Sequence, residues 1–281
     1  MAVDLATKYL PYVDELFKEE SRKDLVTNQD FKWDGANTVK IYRISSAPMQ
    51  DYGRTGPQEG NISRYGAIDD LTATTQAMML SKDRSFIFNV DRMDTDETVN
   101  QLEAASALAR QLREVVIPEV DAYTYGKIVA GAGTKATAVA LTPENIYKAI
   151  IDGTNVLDGA EVPENQRVLV VTPDTYHIMK QSKDIMMETD IAENMRLRGV
   201  ISYVDGLKVQ RVPANRLPEN FGFMIVHPSA TVAPVKLEDY QVHTKTPLSS
   251  GAIVTGRICY DAFVLENKKV GIYYQPVTAG A

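Results

Sequence analysis

The chain has 281 residues, of which 44% are hydrophobic, enough to bury one large core or two modest ones. A formal net charge of -7, with no run of lysines and arginines, excludes a protein that grips nucleic-acid phosphates strongly. One cysteine, Cys259, excludes an intrachain disulfide and fits a reducing compartment; without a signal-peptide pattern or 18 consecutive apolar residues, the chain reads as neither exported nor membrane-spanning.

Residues 1–33 mix small clusters of apolar groups (Leu5, Tyr9, Leu10, Tyr12, Val13, Leu16, Phe17) with acids and lysines, which predicts an N-terminal arm containing a short helix broken near Pro11. Thr38–Ile44 is rich in β-branched residues and reads as a strand. A returning strand is expected from about Leu71 to Leu80, with Phe86, Phe88 and Val90 continuing the period-2 pattern. Between the strands, Ser45 to Asp70 carries four glycines and two prolines and almost no aliphatic side chains, so it should lack a core of its own. A long loop with no structure is uncommon unless it has a task, and an isolated hairpin is marginal in water. Support from a neighbouring subunit is the economical reading; a disordered surface insertion is the plain one.

Asp94 and Glu97 have capping-box spacing, and Val99, Leu102, Ala105, Ala109, Leu112, Val116, Val120 and Tyr123 advance by threes and fours. They predict a helix of nearly seven turns, roughly 38 Å long, with a kink or break at Pro118. Ala130–Thr137 is expected to be a flexible connector, after which helix and strand alternate. Thr142-Pro143 should cap a helix that buries Ile146, Tyr147, Ile150 and Ile151. Arg167–Thr172 has the continuous apolar run of a strand covered on both faces, and Thr172-Pro173 should cap the next helix through Tyr176 and Met179. Asp205-Gly206, inside Ile201–Val212, marks a hairpin turn. Phe221–Val226 is a further strand, and Ile253–Leu265 with Val270–Tyr274 reads as a closing hairpin.

Chemistry is sparse. Asp91, Asp94, Asp96 and Glu97 fail calcium-loop spacing, because Thr98 and Val99 stand where an acid or amide and a glycine are needed. Gly131–Lys135 lacks the register of a phosphate loop, and His177, His227 and His243 are too scattered for zinc. No Gly-x-Ser-x-Gly appears, Cys259 has no catalytic signature, and Glu188, Asp190 and Glu193 fit a solvated helix face. No catalytic, metal or cofactor residue is assigned.

The order of elements resembles the major capsid proteins of tailed phages with the Hong Kong 97-type fold. Arg84–Glu97 is similar to the lead-in to that family's spine helix, and Ile117–Tyr123 to the helix's far end. Val162–Pro173 resembles the strand and helix of the axial domain, Gly199–Val209 the next hairpin, and Tyr260–Tyr273 the closing strands. The resemblance implies an α+β fold with an N-terminal arm at 1–37, an extended β-hairpin loop at 38–83 and a peripheral domain with the spine helix at 84–135. An axial domain at 136–240 and terminal strands returning to the peripheral domain at 241–281 complete it. It further implies a non-enzymatic shell protein that assembles in the host cytoplasm as pentamers and hexamers into a virion enclosing double-stranded DNA, with no sequence-specific binding, no cofactor and no membrane. Self-association and a portal protein are the implied partners. Only about 35 residues precede the hairpin, which implies a separate scaffolding protein, or none. No lysine lies between Ser45 and Ser81, so the loop should hold its neighbour noncovalently, with Arg54, Arg64, Asp69 and Asp70 as intersubunit charges. Two other readings stay open: an encapsulin-type nanocompartment shell with the same fold, and a soluble α/β enzyme with residues 45–70 as a lid.

Overall fold

The computed structural model describes residues 21, 23–28, 38–56, 62–91, 104–187, 203–243 and 250–278. The expected helix near Pro11, the Asp94/Glu97 capping box and the 188–193 acids lie outside these residues. Two compact units form: Gly35–Met79, and a body made of Met1–Asp34 with Leu80–Ala281.

The smaller unit, hereafter the arm, is built on β1 (Thr38–Ile44) and β2 (Ala73–Met79), antiparallel in unbroken register from Thr38 opposite Met79 to Ile44 opposite Ala73.

In the body, a six-stranded mixed sheet has the order β4-β13-β8-β5-β7-β6. Its strands are β4 (Thr134–Lys135), β5 (Val168–Val171), β6 (Tyr203–Val204), β7 (Leu207–Arg211), β8 (Phe221–Val226) and β13 (Ile272–Pro276). Period-2 alternation sends Leu169, Val171, Phe223, Ile225 and Tyr273 into one core with Ile146, Ile150 and Leu157. Val168, Val170, Met224, Val226, Ile272 and Tyr274 enter a second core with Tyr125, Ile128 and Val129. Burial on both faces explains the unbroken apolar runs of β5 and β8. The N-terminal segment contributes Val26 to the second core, and Asn28 bridges to Val232.

The predicted long helix runs from Ala104 to Ala130 as α1 (Ala104–Gln111), a π turn (Leu112–Val116) and α2 (Ile117–Ala130). Pro118 therefore does not end the helix, and Ile117–Tyr123, expected as its far end, instead opens α2. The Ile117 N–H bonds Leu112 O, five residues back, so the widened turn falls where the proline ring would crowd the preceding turn. Three-stranded pairing of β10 (Val235–His243), β11 (Ala252–Tyr260) and β3 (Lys82–Val90) lies beside this helix, with Val120, Ile258 and Tyr260 in a third core. Gly256 stands opposite Phe86, and a Cβ there would come within 2.3 Å of the ring, so the glycine lets Phe86 lie across β11 and stack with Tyr240.

Several expectations are corrected. The Ala130–Thr137 connector contains β4, which pairs in parallel with β13, and Gly133 N–H and Ala136 N–H bond Lys269 O and Tyr274 O. The helix expected at Thr142 starts three residues later: α3 (Ile146–Gly159) has Asn145 at its N-cap position, with Asn145 Oδ1 accepting from Thr142 N–H. Ile151 faces solvent, while Gly153 and Leu157 extend the buried line from Ile146 and Ile150. The closing hairpin does not form. Strand β11 pairs with β10 and β3, whereas β13 pairs with β8 and β4 in the six-stranded sheet. Between them lie β12 (Phe263–Val264), paired with β9 (Thr231–Val232), and a 3-10 turn at Glu266–Gly271. The Thr172 cap is as expected: its hydroxyl accepts from Thr175 N–H at 3.1 Å and opens α4 (Pro173–Gln181). Asp205 and Gly206 both have positive φ, the signature of a type I′ turn.

Candidate intersubunit surface

Beyond β1 and β2 the arm is tied together by its own backbone. Ser45 N–H bonds Thr72 O at 3.0 Å, and Ser45 Oγ accepts from Thr72 N–H. Farther out, the Gln50 carboxamide imitates a strand partner: Oε1 accepts from Ala67 N–H at 2.6 Å and Nε2 donates to Ala67 O at 3.2 Å. Gly53 N–H bonds Arg64 O, and the Tyr52 and Tyr65 rings meet edge to face at 5.0 Å. The described part of the tract is thus cross-bridged by polar groups, while its apolar side chains find no core.

Those side chains point outward. Met49 is 99% exposed, Ile62 98%, Ile68 83% and Tyr65 78%, with Ile44 and Leu71 also exposed. Single exposed apolar groups need no explanation, but such a concentration in one small unit makes it a candidate interaction surface. The sequence-selected Arg54, Arg64, Asp69 and Asp70 are exposed too, and none forms an ion pair among the described residues. The Gly53–Arg64 bond brings the segments of Arg54 and Arg64 together, whereas Asp69 and Asp70 lie nearer the strands, just before Thr72. Charge makes these four conspicuous in the sequence, whereas the more exposed apolar residues carry no such mark there.

The arm ends at Met79, and two residues on, Ser81 meets a buried carboxylate. Asp261 Oδ2 accepts from Ser81 N–H (2.8 Å) and Ser81 Oγ (2.7 Å), while Oδ1 accepts from Tyr123 Oη (2.8 Å) and Ala262 N–H (2.7 Å). Tyr123 is held in turn by the edge of Tyr260, at 5.6 Å, and by Lys82 and Lys127, whose ammoniums lie 5.2 and 5.4 Å from its ring centre. Nearby, Arg84 pairs with Glu119 at 2.7 Å, and Tyr260 Oη donates to Glu119 at 3.4 Å. Burial, reinforced by the Glu119 charge, pushes the Tyr260 phenol up to about 12.

Elsewhere the side chains are occupied structurally. His177 bonds Gln181, His243 bonds Thr255, and His227 bonds Ser229 while burial lowers its pKa. An open 530 Å³ cavity lined by Thr172, Asp174, Thr175, Glu219 and Phe221 has its two threonine hydroxyls engaged in the helix cap and with Gly222 O. Among the described residues no group of three or more His, Cys, Asp or Glu is placed to hold a metal ion, and no helix is long and apolar enough to cross a membrane.

A hydrogen-bonded arm joined to a body of a long helix, a three-stranded sheet and a six-stranded sheet is the α+β architecture of tailed-phage capsid structures, the Hong Kong 97 type. A structure from Mycobacterium phage Che8 matches with a TM-score of 0.74 at 18% identity, covering 97% of each chain. The capsid of cyanophage P-SCSP1u matches at 0.71 and 14% identity over 99% of this chain and 94% of that one. The mature capsid of bacteriophage PhiM1 matches at 0.75 and 13% identity over 98% and 92%. No protein-family model matches the sequence. No curated protein matches it either.

Proposed function

We propose that this chain is the major capsid protein of a tailed bacteriophage, forming pentamers and hexamers that close into an icosahedral shell around double-stranded DNA. The observation that carries the reading is the correspondence with capsid structures along nearly the whole of both chains, arm included. The arm adds a physical reason: its apolar side chains are exposed in the single subunit and need a second copy to cover them. The fold's functional parts follow as part of this reading: an N-terminal arm, the extended loop, a peripheral domain holding the long helix, an axial domain and terminal strands. The protein acts by assembly, without turnover, and resides in the virion. The loop holds its neighbour noncovalently, since no lysine from which an amide crosslink could form lies between Ser45 and Ser81. A portal protein and a scaffolding protein complete the set of partners. The acidic balance suits a lining along which packed DNA slides.

Purified protein, examined by light scattering after size exclusion and by negative-stain microscopy, should give closed particles or capsomers. A stable monomer under all assembly conditions, above all one with enzymatic turnover, would overturn the reading. Particles isolated from the natural source should contain nuclease-protected DNA, whereas an enzyme cargo without DNA would move the protein to the encapsulin class.

A further inference from the structure

We propose that Asp261 is the positioning residue of assembly: it fixes the point at which the arm leaves the body. This inference rests on the shell reading above. Asp261 is 3% exposed and lies between β11 and β12, far in sequence from the arm it serves. Its two oxygens receive four donors, two of them from Ser81. The other two come from the helix, through Tyr123 Oη, and from the Ala262 backbone. One carboxylate therefore joins the strand root, the long helix and the end of β11.

The chemistry is selective. A carboxylate offers acceptors only, and both oxygens are needed for this donor set. In Asn, one oxygen becomes an NH₂ group, so either the Ser81 pair or the Tyr123–Ala262 pair would face a donor. Hydrogen bonds to a charged acceptor are among the stronger ones, and donors left unpaired in a buried place are costly. No cation forms an ion pair with Asp261 among the described residues, so its bonding is spent on these neighbouring chain segments. For an arm that must find a neighbour, a fixed root matters because freedom at the root becomes an entropic cost when the arm docks.

The test compares Asp261→Asn with the unmodified chain by amide hydrogen exchange and by assembly at equal subunit concentration. Exchange at residues 79–84 should accelerate at least about tenfold while peptides spanning 168–171 and 221–226 stay protected, and the yield of closed particles should fall. Thr172→Ala supplies a control for general loss of stability, since it weakens a cap remote from Ser81 in the chain: it should leave exchange at 79–84 and assembly unchanged. Ser81→Ala and Tyr123→Phe each remove one donor and keep the test available should Asp261→Asn fail to fold. Unchanged exchange at 79–84 in the folded variants, or a loosened root with normal assembly, would overturn the proposal. So would an assembly loss matched by Thr172→Ala. If the unmodified chain forms no particles, the shell reading fails, while the exchange data still report whether Asp261 anchors the root.

Discussion

Arg216 donates from Nη1 to Asp121 Oδ2 at 2.9 Å, with both side chains almost wholly buried, and so joins the middle of the long helix to the 3-10 turn at Ala214–Arg216. Ser21 Oγ donates to the second carboxylate oxygen at 2.5 Å, bringing the N-terminal segment into the same junction. A pair this buried adds little net stability relative to an apolar replacement, but removing the carboxylate takes an ion pair away from a buried guanidinium. Asp121→Ala should therefore destabilise the chain by about 3–5 kcal/mol. Denaturant unfolding checks this, and the double variant Asp121→Leu/Arg216→Met should lose less than Asp121→Ala alone.

Thr172 closes the first turn of α4 with its hydroxyl, and Thr175 passes the chain of bonds on to Gly222 O. Thr172→Ala should cost about 0.5–2 kcal/mol, the ordinary range for a lost N-cap. Thr172→Ser should restore most of it, because the acceptor oxygen remains. Thermal unfolding of the three proteins would show whether the hydroxyl or the threonine methyl carries the effect.

Local chemistry made some elements legible and left others hidden. Thr38–Ile44, Val168–Val171, Phe221–Val226 and the Asp205-Gly206 turn were readable because each expresses its environment in its own residues: alternation, two-sided burial or positive φ. The separation of β11 from β13 was not readable, since two apolar strands near in sequence carry no mark of which sheet they will join. Strand β4 was hidden among glycines because two residues on an edge need no hydrophobic period, only backbone partners at Lys269 and Tyr274. At the candidate intersubunit surface, Arg54, Arg64, Asp69 and Asp70 were conspicuous by charge. Met49, Ile62 and Ile68 become informative only when their exposure is seen, and Asp261 only when four donors converge on it.

Tyr260 gives the alkaline limb of stability a defined sign. Its phenol titrates at about 12 in the folded chain, against about 10 for an unperturbed tyrosine. Between those values the unfolded chain has released the proton that the folded chain retains, so the unfolded state binds fewer protons and stability falls as pH rises. Below pH 10 the group contributes no pH dependence. Tyr240, Tyr273 and Tyr274 are also shifted upward by burial and add to the same limb. Tyr260→Phe should flatten the loss between about pH 10 and 12 without abolishing it. Unfolding midpoints measured across that interval would test this; an unchanged slope would refute the assignment.

The arm separates two kinds of contact that a shell could use. Arg54, Arg64, Asp69 and Asp70 are exposed charges, and rim ion pairs between subunits are worth about 0–1 kcal/mol and weaken with salt. Met49, Ile62 and Ile68 are almost fully exposed in the subunit, so covering them on a neighbour removes apolar area from water. Replacing these three by serine should change subunit unfolding by no more than about 0.5 kcal/mol per site, because they pack against little within the chain. Assembly should nevertheless fall sharply, as it should on deletion of residues 46–68. Arg54→Ala/Arg64→Ala should slow assembly at low salt and have a smaller effect at about 0.15 M. Light scattering of assembling subunits at several salt concentrations distinguishes the two. Were the charge variant to lose assembly at all salt concentrations while the serine variant assembled normally, ion pairs rather than apolar burial would be the arm's hold on its neighbour.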